Sequence, residues 1–225
     1  SRRRPIPILR DRGARAALAG ARMSLTLIII GITCVVSFAG FSNPALIQRL
    51  ILWPPAVSRR GEWWRLASCG LIHADGTHLL FNMFTLYFFG SVMERLMVPR
   101  IGSWGYVLFY VAALVVSALP SYLAHKDDAN YRSLGASGAV SAALFAFILV
   151  QPWATIYVFV VPVPAIVYAV AYVAYSIYME RKGGDNVNHS AHLWGAAFGV
   201  AFLAVMEPQV IGLFFDRLTH PRFGR

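Results

Sequence analysis

The sequence predicts an all-α polytopic membrane protein, a bundle of six transmembrane helices. Two observations carry that prediction. Of the 225 residues, 58% are hydrophobic and only 13% are charged, and the charges gather between long apolar runs. That is the pattern of membrane spans and not of a soluble core. The second observation is the number and length of those runs: an apolar layer about 30 Å thick is crossed by about 20 helical residues, and six runs approach that length, one of them falling clearly short.

Residues 1–23 carry seven arginines with Pro5, Pro7 and the single acid Asp11. They read as a cytoplasmic tail, partly disordered or lying on anionic lipid. Ser24 to Phe41 is the first span, longer than a secretory apolar region. Residues 42–72 contain Pro44, Trp53-Pro54-Pro55, Arg59-Arg60-Gly61 and Glu62-Trp63-Trp64-Arg65, a mixture suited to a loop lying partly among lipid headgroups. The second span is expected at about Leu79 to Leu96 and the third at about Ser103 to Leu123.

The fourth span, about Gly138 to Val150, is too short to cross from its glycine-rich head to Gln151-Pro152, so it starts below the outer surface. The loop His125 to Leu134 must then dip inward to meet it, which requires protein or water around its backbone. A fifth span, about Ala154 to Met179, contains Pro162 and Pro164, which remove helix hydrogen bonds and restrict the residues before them. Glu180 to Asn188 is an outer loop, and Ser190 to Met206 is the sixth span, closed by Glu207-Pro208. The expected organisation is a basic tail 1–23, a six-helix membrane domain 24–207 and a basic C-terminal tail 208–225. That last segment holds an apolar patch, Val210 to Phe215, before Arg217, Arg222 and Arg225.

With six spans both ends share one side. The tails and the turn around Arg95 and Arg100 hold 12 of the 20 basic residues and four acids, a net +8 against +2 for the opposite loops. Both termini are therefore expected in the cytoplasm. The overall net charge of +10 is read as Lys and Arg held at that face, and no nucleic-acid partner is expected. Cys34 and Cys69 have no metal or redox spacing.

Chemistry concentrates in two stretches. In Gly135-Ala136-Ser137-Gly138 one hydroxyl stands between glycines at the head of an apolar helix. There, free backbone N–H groups and the positive dipole end favour a developing oxyanion. In Ala191-His192-Leu193-Trp194-Gly195, with Gly199 one turn on, a histidine opens another apolar helix. Small residues at this spacing also serve plain helix packing, and a histidine within a span also serves as a packing residue or lines an ion path. If the face of Gly195 and Gly199 meets Gly138 and Ala142, both helices start from the same side and His192 lies beside Ser137.

These blocks resemble the rhomboid intramembrane serine proteases: Gly135-Ala136-Ser137-Gly138 is similar to the family's G-x-S-G motif, and the His192 stretch to its A-H-x-x-G-x-x-x-G helix. A third block, His73 with His78-Leu79-Leu80-Phe81-Asn82-Met83, resembles its H-x4-H-L-x-F-N-x signature, and Trp64-Arg65 resembles the W-R pair of its first loop. The matches run in family order over about residues 60–200. The resemblance implies peptide-bond hydrolysis by a Ser-His dyad, with Ser137 as nucleophile and His192 as general base and then acid. It also implies an oxyanion hole made by His78, Asn82 and the Ser137 backbone, with no metal and no cofactor. His78 and Asn82 are four apart and share a helix face; a structural hydrogen-bond role for the pair is the other reading.

Two departures stand out. Ser141 occupies a position where many rhomboids carry an aromatic packed on the catalytic histidine, so its hydroxyl is expected to hydrogen-bond instead, or a ring such as Tyr168 or Tyr172 to substitute. Arg95 follows Glu94 directly, which puts the family's salt bridge there in doubt. The third member of a triad is left empty, because Asp185, the nearest acid, is an exposed loop charge. The partners implied are the lipid bilayer and membrane-protein substrates with a helix-weakening segment near the outer face, reached through the proline-loosened fifth span as a lateral gate. A bacterial inner membrane is the expected location. An H-E-x-x-H zinc motif is absent, and His73, His78, His189, His192 and Asp75 offer only an improvised metal site. An inactive rhomboid-like binding protein and a small transporter are the remaining alternatives.

Overall fold

The computed structural model describes residues 24–221 apart from Phe159 and Asn186. The expected basic tail 1–23 and the terminal Arg222 and Arg225 lie outside these described residues. The described chain is mostly helical, and the helices appear where long apolar runs demand internal backbone pairing.

The first helix, α1 (Leu25–Phe41), begins at a capping Ser24. Its first turn is completed by a residue 70 positions away. The Glu94 carboxylate accepts from Ser24 Oγ at 2.6 Å and from the backbone N–H groups of Leu25 and Thr26 at 2.8 and 2.9 Å. A negative charge on free N–H groups at the positive end of a helix is favourable. The doubtful Glu94–Arg95 bridge is thus replaced by a cap, and the ion pair at this end is Arg100 with Glu207 at 3.1 Å.

The connection after α1 folds into short helices, α2 (Pro44–Leu50), α3 (Pro54–Arg60) and α4 (Arg65–Ser68), followed by a 3₁₀ turn at Cys69–Leu71. Proline opens α2 and α3, where its missing N–H costs nothing. Arg65 is 6% exposed, bonds Glu62 at 2.5 Å and donates to the carbonyls of Gln48 and Ile51 at 2.8 and 2.7 Å. It is an anchor that holds the connection together. Trp53 lies under the guanidinium groups of Arg60 and Arg132, at 5.1 and 4.6 Å, which fixes this connection against the loop before Ser137.

The helix α5 (Gly76–Thr85) passes through a π turn at Leu86–Gly90 into α6 (Ser91–Ala124). Gly102 breaks α6 with φ 73° and ψ 173°, a conformation glycine tolerates and other residues do not. The chain doubles back there. Tyr106, 16 residues beyond Gly90, donates to the Gly90 carbonyl at 3.1 Å, whereas a straight helix would hold them about 24 Å apart. The expected second and third spans are these two arms. By length and hydropathy, two helical runs among the described residues suffice to cross a membrane, Gly76–Ala124 and His189–Met206, with shorter apolar helices at Leu25–Phe41 and Ser137–Val150.

The helix α7 (Ser137–Val150) is the centre of the molecule: from Gly138 to Val150, only Phe147 is not buried. Around it stand α6, α9 (His189–Met206) and α8 (Ala165–Lys182), with α10 (Gln209–Thr219) across its far end. The segment 208–225 is therefore not only a tail. Trp153 Nε1 donates to the Arg217 carbonyl, and Arg217 donates to that of Val150.

The fifth span departs from expectation. Its first part forms a hairpin instead of helix, with β1 (Thr155–Val158) antiparallel to β2 (Val161–Pro164) and Tyr157 opposite Pro162. The helix starts only at Ala165. Alternating valine and proline favour extended backbone, and a proline sits without cost in an edge strand where no N–H is required. Pro162 and Pro164 thus do not loosen a helix, and the proline-based gate is withdrawn. The fold is also not purely α, because of this hairpin.

Candidate active site

Ser137 is the first residue of α7, and the backbone before it is clamped from three directions. Leu52 and Ser133 exchange two backbone hydrogen bonds at 3.0 and 3.1 Å, and Gly135 N–H donates to the Cys69 carbonyl at 2.9 Å. Ala136 N–H donates to His73 Nε2 at 3.3 Å. The loop before Ser137 is therefore paired with the folded connection of residues 42–72 and with His73, so its backbone N–H groups are satisfied.

His73 is itself fully specified. Its Nδ1 lies 3.0 Å from Ser37 Oγ, and Ser37 donates to the Leu71 carbonyl at 3.0 Å. Ser37 must then accept from His73, which places the imidazole proton on Nδ1 and leaves Nε2 to accept from Ala136. Burial, with the His78 ring alongside, pushes His73 down to about 4, so the ring is neutral. It acts as a rivet between α1 and the Ser137 loop.

The head of α9 is built by Asn188. Its Oδ1 accepts from Ala191 N–H at 2.9 Å as an N-cap and from Ser121 Oγ at 3.0 Å. Its Nδ2 donates to Tyr131 Oη at 3.1 Å and Ser133 Oγ at 3.0 Å. One amide thus joins the start of the His192 helix to the loop that leads into Ser137. In the sequence Asn188 stands only as the last residue of a loop. The only signal was its place just before an apolar helix, where caps occur.

Between these two helix heads the backbones touch. A Cβ added to Gly195 would overlap the Gly138 carbonyl, and one added to Gly199 would overlap that of Ala142. At this distance only hydrogen fits. The two helices start from one side, and His192 Nε2 lies 2.8 Å from Ser137 Oγ, both residues half-buried. The geometry is that of a hydroxyl donating to an imidazole. Among the described residues no carboxylate bonds His192: Asp185 pairs with His189 instead, at 3.0 Å. That hydrogen bond holds the exposed Asp185 carboxyl below its ordinary range.

His78 and Asn82 lie on α5. Asp75 caps this helix by accepting from His78 N–H at 2.8 Å. The His78 ring packs directly over Gly135, whose φ of 112° and closeness to the imidazole both exclude a side chain. His78 Nδ1 is 3.5 Å from Ala74 N–H, which favours the proton on Nε2, the atom near Gly135. Asn82 is buried and donates to the His78 carbonyl at 2.9 Å. The structure thus brings His78 against Gly135 and His192 against Ser137, two residues further along the chain, and gives Asn82 a bond within α5. Among the described residues, no three His, Cys, Asp or Glu side chains gather as a metal site.

Ser141 and Tyr172 settle what stands beside the histidine. Their hydroxyls share a hydrogen bond at 2.7 Å, and the Tyr172 ring stacks on His192 with centroids 5.9 Å apart and planes inclined by 29°.

A rhomboid domain model matches residues 60–209, two thirds of the chain. The chain is 32% identical over 151 residues to the mitochondrial RHOMBOID-like protein 12 of Arabidopsis thaliana, covering 62% of this chain and 45% of that protein. It is 27% identical over 177 residues to the putative rhomboid protease YdcA of Bacillus subtilis, covering 75% and 83%. With the rhomboid protease GlpG of Haemophilus influenzae it shares 32% over 127 residues, 53% and 59% of the two chains. This chain therefore spans about half the length of the plant relative and most of YdcA. With the domain match extending from the Arg60 turn to the close of α9, the chain belongs to the rhomboid family and is an integral membrane protein.

Proposed function

We propose that the protein is an intramembrane serine endopeptidase working through a Ser137–His192 dyad. The observation that carries this reading is the 2.8 Å contact between His192 Nε2 and Ser137 Oγ across a backbone-to-backbone helix pair. Similarity to proteins named rhomboid proteases supports the same class. As a substrate carbonyl enters, Ser137 Oγ attacks its carbon while His192 Nε2 takes the hydroxyl proton. His192 then delivers that proton to the leaving amine, and water repeats the sequence on the acyl-enzyme. The backbone N–H of Ser137 and His78 Nε2–H donate to the oxyanion, with Asn82 as a further donor once it leaves the His78 carbonyl. No cofactor or metal takes part.

In this reading the six spans in the bilayer are α1, α5 continued through its π turn into the first arm of α6, the second arm of α6, α7, α8 and α9. Both termini are cytoplasmic, as in a bacterial inner membrane. The dyad then lies below the outer surface, beside a polar cavity of about 170 Å³ bounded by Ser121, Tyr131, Asn188 and His189, through which water arrives. Substrates are single-span proteins whose helix is weakened near that face, because a carbonyl within an intact helix is already hydrogen-bonded and sterically covered. Co-reconstitution with single-span reporters tests this. Cleavage of a reporter carrying a Gly-Pro break near the outer face, but not of its all-leucine version, and its loss in Ser137→Ala and His192→Ala, is the expected result. Equal cleavage by Ser137→Ala removes Ser137 as the nucleophile, and no cleavage by folded wild-type protein returns the chain to the inactive, binding-protein alternative.

A further inference from the structure

The unusual feature of the site is the source of the group that holds His192. A dyad base has no carboxylate to fix its ring, so orientation must come from packing. Two rings touch it. His189, paired with Asp185, meets it edge-on at 5.8 Å and 77°, and Tyr172 covers its face at 5.9 Å and 29°. Resting on the reading of Ser137 and His192 as nucleophile and base, we infer that Tyr172 is a positioning residue for His192, carried by α8 and set in place by Ser141.

Four observations lead there. Ser141 is 3% exposed and lies one turn after Ser137 on the same buried helix, and its hydroxyl bonds that of Tyr172. That bond fixes the rotation of the phenol relative to the nucleophile's own helix. Phe145, also on α7, packs against the Tyr172 ring at 5.4 Å, and Tyr168, one turn earlier on α8, packs at 5.8 Å. The half-buried phenol is therefore flanked by rings of both α7 and α8. Finally, α8 buries only Ala165, Ala169 and Ser176, while Val167, Val170, Tyr175, Ile177 and Tyr178 are exposed. Tyr172 is thus the point at which an otherwise lightly held helix enters the site.

The consequence is a coupling. With α8 docked, Ser141 and Phe145 hold the phenol and the phenol holds the imidazole with Nε2 on Ser137. With α8 displaced, His192 keeps its place on α9 but loses the wall that restricts its ring. The dyad is then complete only in the docked state of α8.

Labelling of the full-length protein by a fluorophosphonate separates orientation from binding, because kinact reports the dyad and KI reports occupancy. Tyr172→Leu is expected to lower kinact by about 10- to 100-fold with KI unchanged, since a small misplacement of a catalytic group costs on that scale. Tyr172→Phe keeps the ring and is expected to stay within about threefold of wild type. The double variant Ser141→Ala/Tyr172→Phe should be no worse than either single variant, because both remove one bond. Full kinact in folded Tyr172→Leu, or a loss that only follows the folded fraction, overturns the inference. So does additivity of the two hydroxyl variants, a result available even if Tyr172→Leu fails to fold. Wild-type protein that takes up no label at Ser137 defeats the dyad reading itself, which is a different outcome.

Discussion

The two helices beside His192 are held in opposite ways. On one side α9 meets α7 through Gly138, Ala142, Gly195 and Gly199, so closely that a single methyl group at Gly195 or Gly199 would strike a carbonyl of the facing backbone. On the other side α8 meets the same pair through rings and one hydroxyl bond: Tyr168, Tyr172, Phe145 and Ser141. Backbone contact leaves no freedom to slide, whereas ring contacts can be parted and remade. The first interface sets the distance from His192 to Ser137, and the second sets what packs on the face of the His192 ring. The stiff and the adaptable parts of the site are separate elements.

The largest expected effect lies at the stiff interface. Gly195→Val forces α7 and α9 apart, because the obstacle is backbone and cannot swing away, and overpacking of this kind costs about 3 kcal/mol. Thermal unfolding in detergent should show a large fall in Tm together with loss of activity. By contrast Gly31→Ala, with nothing within 4 Å of the added methyl, should leave Tm unchanged or slightly raised. Equal Tm values for the two variants would break the comparison at its root.

Next comes Asn188→Ala. Loss of an N-cap costs about 1 kcal/mol, and the same substitution frees Ser133 and Tyr131 in the loop before Ser137. Activity per folded molecule is expected to fall roughly tenfold, a scale set by misplacement of catalytic groups, with Tm falling less than in Gly195→Val. A variant with lowered Tm and wild-type turnover would show that the amide is a cap alone.

Asn82→Ala distinguishes two roles on α5. As an oxyanion donor Asn82 should matter most once the carbonyl is tetrahedral, so kcat should fall roughly 10- to 100-fold with little change in KM, less than for a single donor in a well-ordered soluble site. As the tie to the His78 carbonyl seen here, it should instead lower Tm and leave kcat of the folded fraction intact. Measuring all three quantities on one preparation decides.

The smallest effect is reserved for Asp185. Its carboxyl is held below the ordinary value of 3.8 by the hydrogen bond from His189, so its contribution to stability is present above that value. It is lost as pH falls through the lower, folded-state value. Asp185→Asn should leave turnover at neutral pH within about twofold and remove part of the acid-side fall in Tm. A large loss of neutral-pH turnover would make Asp185 the third member of a triad.

How much of this was legible in the sequence follows from where the information lies. The helix heads at Ser137 and His192 are local patterns of glycine, hydroxyl and imidazole, and the register of Gly195 and Gly199 already carries the packing face. Long-range partners were not legible. Nothing in the order of residues announces that Glu94 caps a helix beginning 70 positions earlier, or that Asn188 joins two loops. The ring beside His192 is foreseeable only as one of two tyrosines, because Tyr168 and Tyr172 stand one turn apart on one helix and spacing does not say which meets the imidazole. A run of apolar residues with prolines at alternate positions fits a kinked span or a strand equally well on hydropathy. The absence of N–H groups at Pro162 and Pro164 is what tips it to a hairpin edge.

The measurement that bears most directly on the account is peptide-mapped labelling by a fluorophosphonate. Wild-type protein is expected to carry the adduct on Ser137 and on no other serine, with none in Ser137→Ala. In His192→Ala the rate should be lower by about 10²-fold or more, the scale of general-base assistance. Label on Ser141 or elsewhere in place of Ser137, or an unchanged rate in folded His192→Ala, would contradict the assignment of these two residues as nucleophile and base.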